Sequence, residues 1–231
     1  MAVSIKSARE IELMREAGKR LAHVHQELEA MITPGISTWE IDAKGEKLIR
    51  DCGCIPNFLH YNGYPASICV SVNDEVVHGI PRKDRYLKEG DIVSLDAGLI
   101  YKGYHSDAAR THAVGKVSTE AQKLMDVTKQ SFFEGIKMAK EGQHLHHISR
   151  AIEEYVTPYG YGIVRDLVGH GIGTALHEDP QIPNYAQKRR GVRLQAGMTL
   201  AIEPMINAGR ADVEWLDDDW TVVTEDGSLA A

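Results

Sequence analysis

VSLDAGLIYKGYHSDAAR, residues 93–110, reads as two apolar strands around a tight turn, and each strand carries an aspartate where a core residue is expected. Val93, Leu95, Ala97 and Leu99 share one parity; Ser94, Asp96, Gly98 and Ile100 share the other. In a strand each set leaves from one face. Lys102-Gly103 is a turn signal, and Tyr101-Lys102 taken as a two-residue loop pairs Ile100 with Gly103. That register sets Asp96 directly opposite Asp107. Directly opposed side chains in an antiparallel pair have Cβ atoms about 4.5–5.5 Å apart, and like charges there repel. Two buried carboxylates at that distance must share a proton or a cation. A divalent ion resolves the conflict, and two such oxygen ligands can bridge a pair of metals. The segment alone is equally compatible with a solvated edge hairpin whose aspartates sit in water.

The 231-residue chain has the composition of a globular protein, 43% hydrophobic and 26% charged, and is long enough for a substantial core. Its net charge of −7 argues against nucleic acid or an anionic membrane as the main partner. No apolar run approaches the roughly 20 residues of a membrane span. The start, MAVSIKSAREIELMRE, lacks an uninterrupted apolar signal core, so a cytoplasmic location is expected. Cys52, Cys54 and Cys69 are an odd set without zinc-ribbon spacing, expected to be reduced thiols, partly buried.

Ser7 and Glu10 form a capping-box signature, and apolar residues from Ile11 to Met31 recur at steps of three and four, predicting a helix over about 7–31. Pro34-Gly35 breaks it. Ser37 and Glu40 cap a second helix that ends near Gly53. Strands are predicted at 66–72 and 75–80, followed by the aspartate hairpin. Helical spacing returns from Ser118 to Ala139 and again through Ile148, Ala151, Ile152 and Tyr155, ending at Gly160. Strand-like segments resume at GIVRDLVGHGIG, MTLAIEPMI and WTVVT. One offset maps Gly35, Ile41, Glu46 and Gly53 onto Gly142, Ile148, Glu153 and Gly160. Two helices followed by strands, twice over, predict an α+β unit in two pseudo-symmetric halves, about 1–115 and 116–231, with a site at the seam.

His170 sits between glycines in LVGHGIG, and Glu203 sits inside the apolar MTLAIEPMI, where a carboxylate without a partner is costly. With Asp96 and Asp107 they form an oxygen-rich set with one imidazole. That set suits Mn, Fe, Co or Zn in a catalytic site rather than a closed structural zinc site. His78 and His177 lie beside glycine or proline turns and are candidates to donate a hydrogen bond or a proton. His23, His25, His144, His146 and His147 read as mostly solvated.

SVNDEVVHGIP, DIVSLDAGLIYKGYHSDAARTHAVG, LVGHGIGTALHEDPQIPNY, GMTLAIEPM and WTVVTEDGS, in this order, resemble type I methionine aminopeptidases over essentially the whole chain. The resemblance implies the pita-bread fold, an antiparallel sheet with flanking helices in two pseudo-symmetric halves. It implies two divalent metal ions (Co, Mn, Fe, Zn or Ni) held by Asp96, Asp107, His170 and Glu203. His78 would contact the bound peptide, and His177 would stabilise its carbonyl as a metal-bound hydroxide attacks. Glu203 would help take the water's proton. Tyr61, Tyr64, Cys69, Leu176 and Trp220 fall at the positions of the pocket for the methionine side chain, and an aromatic and soft lining suits a thioether. The implied substrates are N-terminal methionyl peptides of nascent proteins with a small second residue. The implied partners extend to the ribosome, and the implied state is a monomer. The closeness of His170 and Glu203 in sequence leaves no room for the insertion of the type II enzymes.

The chain departs from the family at its end. Asp226-Gly227 signals a hairpin turn, and only Ser228, Leu229, Ala230 and Ala231 follow. The family carries a fifth, bridging glutamate ligand on the strand just beyond. From this the reading expects a hairpin that opens without closing, an unpaired sheet edge, and Glu225 and Asp226 pointing into solvent. It further expects a fragment of a true enzyme, weakly active or inactive as written. A non-catalytic pita-bread module that binds peptides or proteins is the alternative reading.

Overall fold

The computed structural model describes residues 3–231. Helix α1 (Ala8–Glu29) starts where the capping box sets it: the Ser7 side chain accepts from the Glu10 N–H, and the Glu10 carboxylate accepts from the Ser7 N–H. The same reciprocal pair, Ser37 and Glu40, starts α2 (Thr38–Asp51). Both helices lay an apolar stripe on one sheet. Ala17, Leu21, Val24 and Leu28 of α1 and Ile41, Leu48 and Ile49 of α2 pack against Ile68, Val70, Val93, Leu95, Ala97 and Leu99. Those strand residues belong to β2 (Ile68–Val72) and β4 (Ile92–Tyr101). The short β1 (Ile55–Pro56) and β2 pair with β4, and β5 (Tyr104–Ala113) pairs with β4 alone.

The second half repeats this plan. Ser118 caps α3 (Thr119–Met138), and α4 (His146–Val156) follows. Leu124, Met125, Ile148, Ile152 and Val156 form a second core with Ile163, Ile182 and Ile206. The strands here are short: β6 (Gly162–Ile163), β7 (Gly169–Gly171), β8 (Glu178–Ile182), β9 (Leu200–Ala201) and β10 (Ile206–Asn207). β7 lies between β8 and β9, and β10 pairs with β6. β11 (Val213–Trp215) and β12 (Val222–Thr224) join β3 (Glu75–Val77) from the first half. The halves are also fastened by Lys6, whose Nζ lies 2.6 Å from Glu178 Oε2 and whose N–H donates to Gly197 O.

Several expectations are corrected in detail. The hairpin loop is Lys102-Gly103, not Tyr101-Lys102, because Lys102 (φ 49°) and Gly103 (φ 84°) both adopt the left-handed conformation that a type I′ turn demands. Tyr101 therefore pairs with Tyr104, and Asp96 stands opposite Ala109 while Asp107 stands opposite Gly98. The two aspartates remain on one face as diagonal neighbours. The strand at 75–80 stops at Val77, before His78, whose φ of 59° takes the chain off the sheet. β8 occupies EDPQI, a segment without an apolar run. His25 is buried, not solvated. Its Nε2 lies 2.7 Å from Ala108 O, and burial pushes its pKa down to about 4.

At the end of the chain Glu225 and Asp226 are exposed, as expected, and Asp226 Oδ2 also accepts from the Arg210 N–H. Past Gly227 the chain does not return along β12. Leu229 O accepts from Ala208 N, and Ala231 and Ile206 exchange backbone hydrogen bonds in both directions. The three thiols are free, with Cys54 and Cys69 buried and Cys52 half-buried.

Candidate metal centre and substrate pocket

Four elements deliver the acidic and imidazole side chains to one place. Asp96 and Asp107 come from β4 and β5, His170 from β7, and Glu203 from the segment after β9. β7 can run between β8 and β9 only because its flanks are glycines. A Cβ on Gly169 would strike Ala201 O, and one on Gly171 would strike Asp179 O. Tight backbone packing of this kind is what glycine permits. It brings His170 Nε2 to 3.1 Å from Glu203 Oε1 and 3.7 Å from Asp107 Oδ2.

The electrostatics of this cluster are those of an unshared site. Burial raises Asp96 well above the usual carboxylate range, and the charges of Asp107 and Glu203 push it further. Burial, followed by the charge of Glu203, raises Asp107 to about 7 against the opposing pull of Asp96 and His170. Burial works against a charged His170, but the hydrogen bond and charge of Glu203 prevail and raise it. Asp96 Oδ1 is buried with no hydrogen-bond partner. His170 Nδ1 donates to Gly171 O at 2.8 Å, and the raised pKa favours a ring protonated at Nε2 as well, which faces Glu203 Oε1 at 3.1 Å.

The residues fit a metal on these observations. An orphaned oxygen on Asp96, crowded carboxylates and an imidazole whose other nitrogen is held by a backbone carbonyl are the donor chemistry that divalent ions take. Among the described residues no three of these side chains converge on a point as a finished ligand set; they are paired with one another instead.

Next to this cluster lies an apolar one. Phe58, Tyr64, Ala66, Cys69, Ile172 and Leu176 are buried together, with Tyr61 and Trp220 packed against them. All five residues named from the sequence for the methionine side chain fall in it. Phe58 and Ile172 were missed; Phe58 lies in the aromatic-rich NFLHYNGY, whose spacing fits neither a helix nor a strand. Burial keeps the Cys69 thiol protonated by raising its pKa well above the ordinary value.

The two remaining histidines stand between the clusters. His177 has its ring centroid 4.1 Å from that of His170, and its Nδ1 lies 2.8 Å from the Tyr61 hydroxyl. Burial and the neighbouring His170 push its pKa down to about 4. His78 is lowered by burial, is hydrogen-bonded to the backbone of Trp220, and packs edge-on to that indole. Asn184 is a further positioning residue that the sequence did not disclose: its buried Nδ2 donates to Glu203 O at 2.7 Å.

The comparisons with known proteins agree with this arrangement. The sequence pattern of Metallopeptidase family M24 matches residues 12–227. The chain is 53% identical to a methionine aminopeptidase of Clostridium acetobutylicum over 99% of its own length and 92% of the relative's. It is 52% identical to methionine aminopeptidase 1 of Bacillus subtilis, covering 98% and 91% of the two chains. The crystal structure of methionine aminopeptidase from Thermotoga maritima superposes with a TM-score of 0.97 at 45% identity, over all of this chain and 92% of that one. The fold is thus the pita-bread fold. The chain belongs to metallopeptidase family M24 and, within it, to the methionine aminopeptidases.

Proposed function

We propose that this protein removes the N-terminal methionine from polypeptides whose second residue is small, as a metal-dependent exopeptidase. The observation that carries this reading is the junction of the two clusters. A cluster of aromatic rings, a leucine and a thiol adjoins the buried carboxylates, Cys69 standing opposite Asp96, so a thioether side chain and the first peptide bond would be served together.

Asp96, Asp107, His170 and Glu203 would hold two divalent ions, drawn from Co, Mn, Fe, Zn or Ni. When bound, such ions polarise a carbonyl and lower the pKa of water. The remaining work belongs to side chains. Donation from the Tyr61 hydroxyl to Nδ1 of neutral His177 leaves the proton on Nε2, ready for the oxygen of the scissile carbonyl. His78, steadied by Trp220, meets the peptide beyond the first residue. Glu203, 34% exposed against 10% for Asp107, is the carboxylate with a path to solvent and takes the proton released by water.

We further propose a single domain over residues 1–231 in two halves, about 1–115 and 116–231, acting as a cytoplasmic monomer on nascent chains at the ribosome. No helix among the described residues is long and apolar enough to cross a membrane.

Hydrolysis of a Met-Ala-Ser peptide with added Mn or Co tests the activity. Absence of methionine release, with intact peptide binding, would sink the enzyme reading in favour of a peptide-binding module.

A further inference from the structure

A lysine is ordinarily left in water, yet the Lys6 side chain is only 4% exposed, and its ammonium meets Glu178 Oε2 at 2.6 Å. Two glycines of the other half make room for it. A Cβ on Gly173 would stand 2.5 Å from Lys6 Cε, and one on Gly197 would stand 2.7 Å from Lys6 O. The Lys6 backbone is held as firmly as its side chain. Its N–H donates to Gly197 O at 2.8 Å, and the next residue, Ser7, caps α1. Tyr104 of β5 donates to Glu10 in the first turn of that helix. Lys6 thus projects from a fixed strap into a slot shaped for it.

The other end of the ion pair closes a loop. Residues 172–177 join β7 to β8, and Glu178 opens β8 directly after His177. Glu178 uses both of its oxygens: Oε2 accepts from Lys6, and Oε1 accepts from the Ala175 N–H at 3.2 Å. The loop is held unequally along its length. Ile172 exchanges hydrogen bonds with Thr199, Gly173 O accepts from the His105 N–H, and Leu176 is buried in the apolar cluster. Thr174, Ala175 and His177 are exposed. The His177 ring is met by Tyr61 and His170, and its backbone takes its direction from Glu178.

A buried ion pair is a poor source of stability, because desolvating two charges offsets their attraction and an apolar pair of similar volume is often as stable. What it supplies here is direction. The ammonium fixes the plane of the carboxylate, and the carboxylate fixes Ala175, two residues before His177. Burial works to raise the pKa of Glu178, but the hydrogen bonds of Lys6 and the Ala175 N–H, with the charge of Lys6, prevail and lower it. The carboxylate therefore stays charged, as both of its donors require.

We propose that Lys6 is a positioning residue for His177: acting through Glu178, it sets the end of the loop so that the free ring nitrogen of His177 points at the carbonyl oxygen of the substrate. This rests on the reading of His177 as the donor to that carbonyl.

The test removes both charges together, as Lys6→Met with Glu178→Leu, because losing Lys6 alone would strand a buried carboxylate and confound folding with positioning. The double variant is expected to melt within ~5 °C of its parent. Its kcat on Met-Ala-Ser with added Mn should fall ~10-fold or more, while KM changes less than ~3-fold because Ile172 and Leu176 stay anchored. A second readout needs no turnover. In the 231-residue chain labelled with 15N-histidine, without added metal, the Nδ1 signal of His177 is assigned by its loss in His177→Gln. The double variant should lose the displacement that the Tyr61 hydrogen bond gives this signal. Absence of methionine release from the parent would count against the proposed function, and the His177 signal would still report on positioning. A parent-like signal in a folded double variant, or a parent-like kcat, overturns the proposal. Lys6→Met with Glu178→Gln, which keeps an acceptor for Ala175, carries the same expectation if the leucine variant does not fold. Failure of both variants to fold would assign the pair to stability and overturn the proposal as well.

Discussion

Cys69 stands directly opposite Asp96 in the antiparallel pairing of β2 with β4. Opposed residues share a face with Cβ atoms about 4.5–5.5 Å apart. One rung of the sheet thus joins the apolar pocket to the carboxylate cluster. The thiol has the size and polarisability to line a thioether site, and burial holds it neutral beside an acid that cannot tolerate another charge.

Truncating the pocket wall should separate binding from chemistry. Leu176→Ala or Trp220→Ala trims the apolar cluster proposed to hold the methionine side chain while leaving the four acidic and imidazole groups in place. The expected change is a KM for Met-Ala-Ser raised ~10-fold to 100-fold, with metal affinity unaltered by calorimetry.

Asp107→Asn should move stability and function in opposite directions. The substitution removes a charge from the most crowded part of the site, where burial and Glu203 disfavour it. The metal-free protein is expected to melt higher than its parent, while manganese affinity falls at least tenfold and methionine release is lost. A variant that melts lower without metal would contradict this account of the strain.

Acidity should expose the same strain. The Asp107 pKa of about 7 lies above its ordinary value, so its contribution to stability is complete at low pH and is lost as pH rises through about 7. Asp96 acts in the same direction. His25 and His177, lowered to about 4, act in the opposite window: their contribution is present above about pH 6.5 and is lost as pH falls. Between about pH 6.5 and pH 8 the carboxyls dominate, and the melting temperature of the metal-free chain should fall. Saturating manganese, which replaces the shared proton, should abolish that fall in a scanning calorimeter.

Gly171→Ala should act on the scaffold. The added methyl meets the backbone of Asp179, which has no freedom to move without parting β7 from β8. Overpacking of this kind costs about 1–3 kcal/mol. Thermal unfolding should come several degrees earlier, and His170 should lose its alignment, so metal affinity falls with stability. Gly103→Ala, at an open turn with a positive φ, should cost stability without touching metal affinity.

Much of this was legible before any coordinates. Ser7, Ser37 and Ser118 open their helices as local chemistry requires, because a capping hydroxyl and a nearby N–H are neighbours in sequence. Asp96, Asp107, His170 and Glu203 announced themselves by a cost, since each sits in an apolar or glycine-rich segment that would not carry it unpaired. Asn184, Phe58 and β8 gave no such signal. Their roles come from partners far along the chain, Glu203 for Asn184 and the glycine-flanked β7 for β8.

The sequence by itself determined which residues are helical, which face of the hairpin is polar, and which side chains are chemically out of place, for all of these follow from periodicity and from the solvation of single groups. Tertiary structure alone decided the register of that hairpin, through the left-handed pair Lys102-Gly103, and with it the diagonal placement of Asp96 and Asp107. It alone decided that Leu229–Ala231 join Ile206–Ala208 and that β7 lies between β8 and β9. Pairing between strands distant in sequence depends on where whole elements pack, and neither periodicity nor the solvation of single groups records that distance.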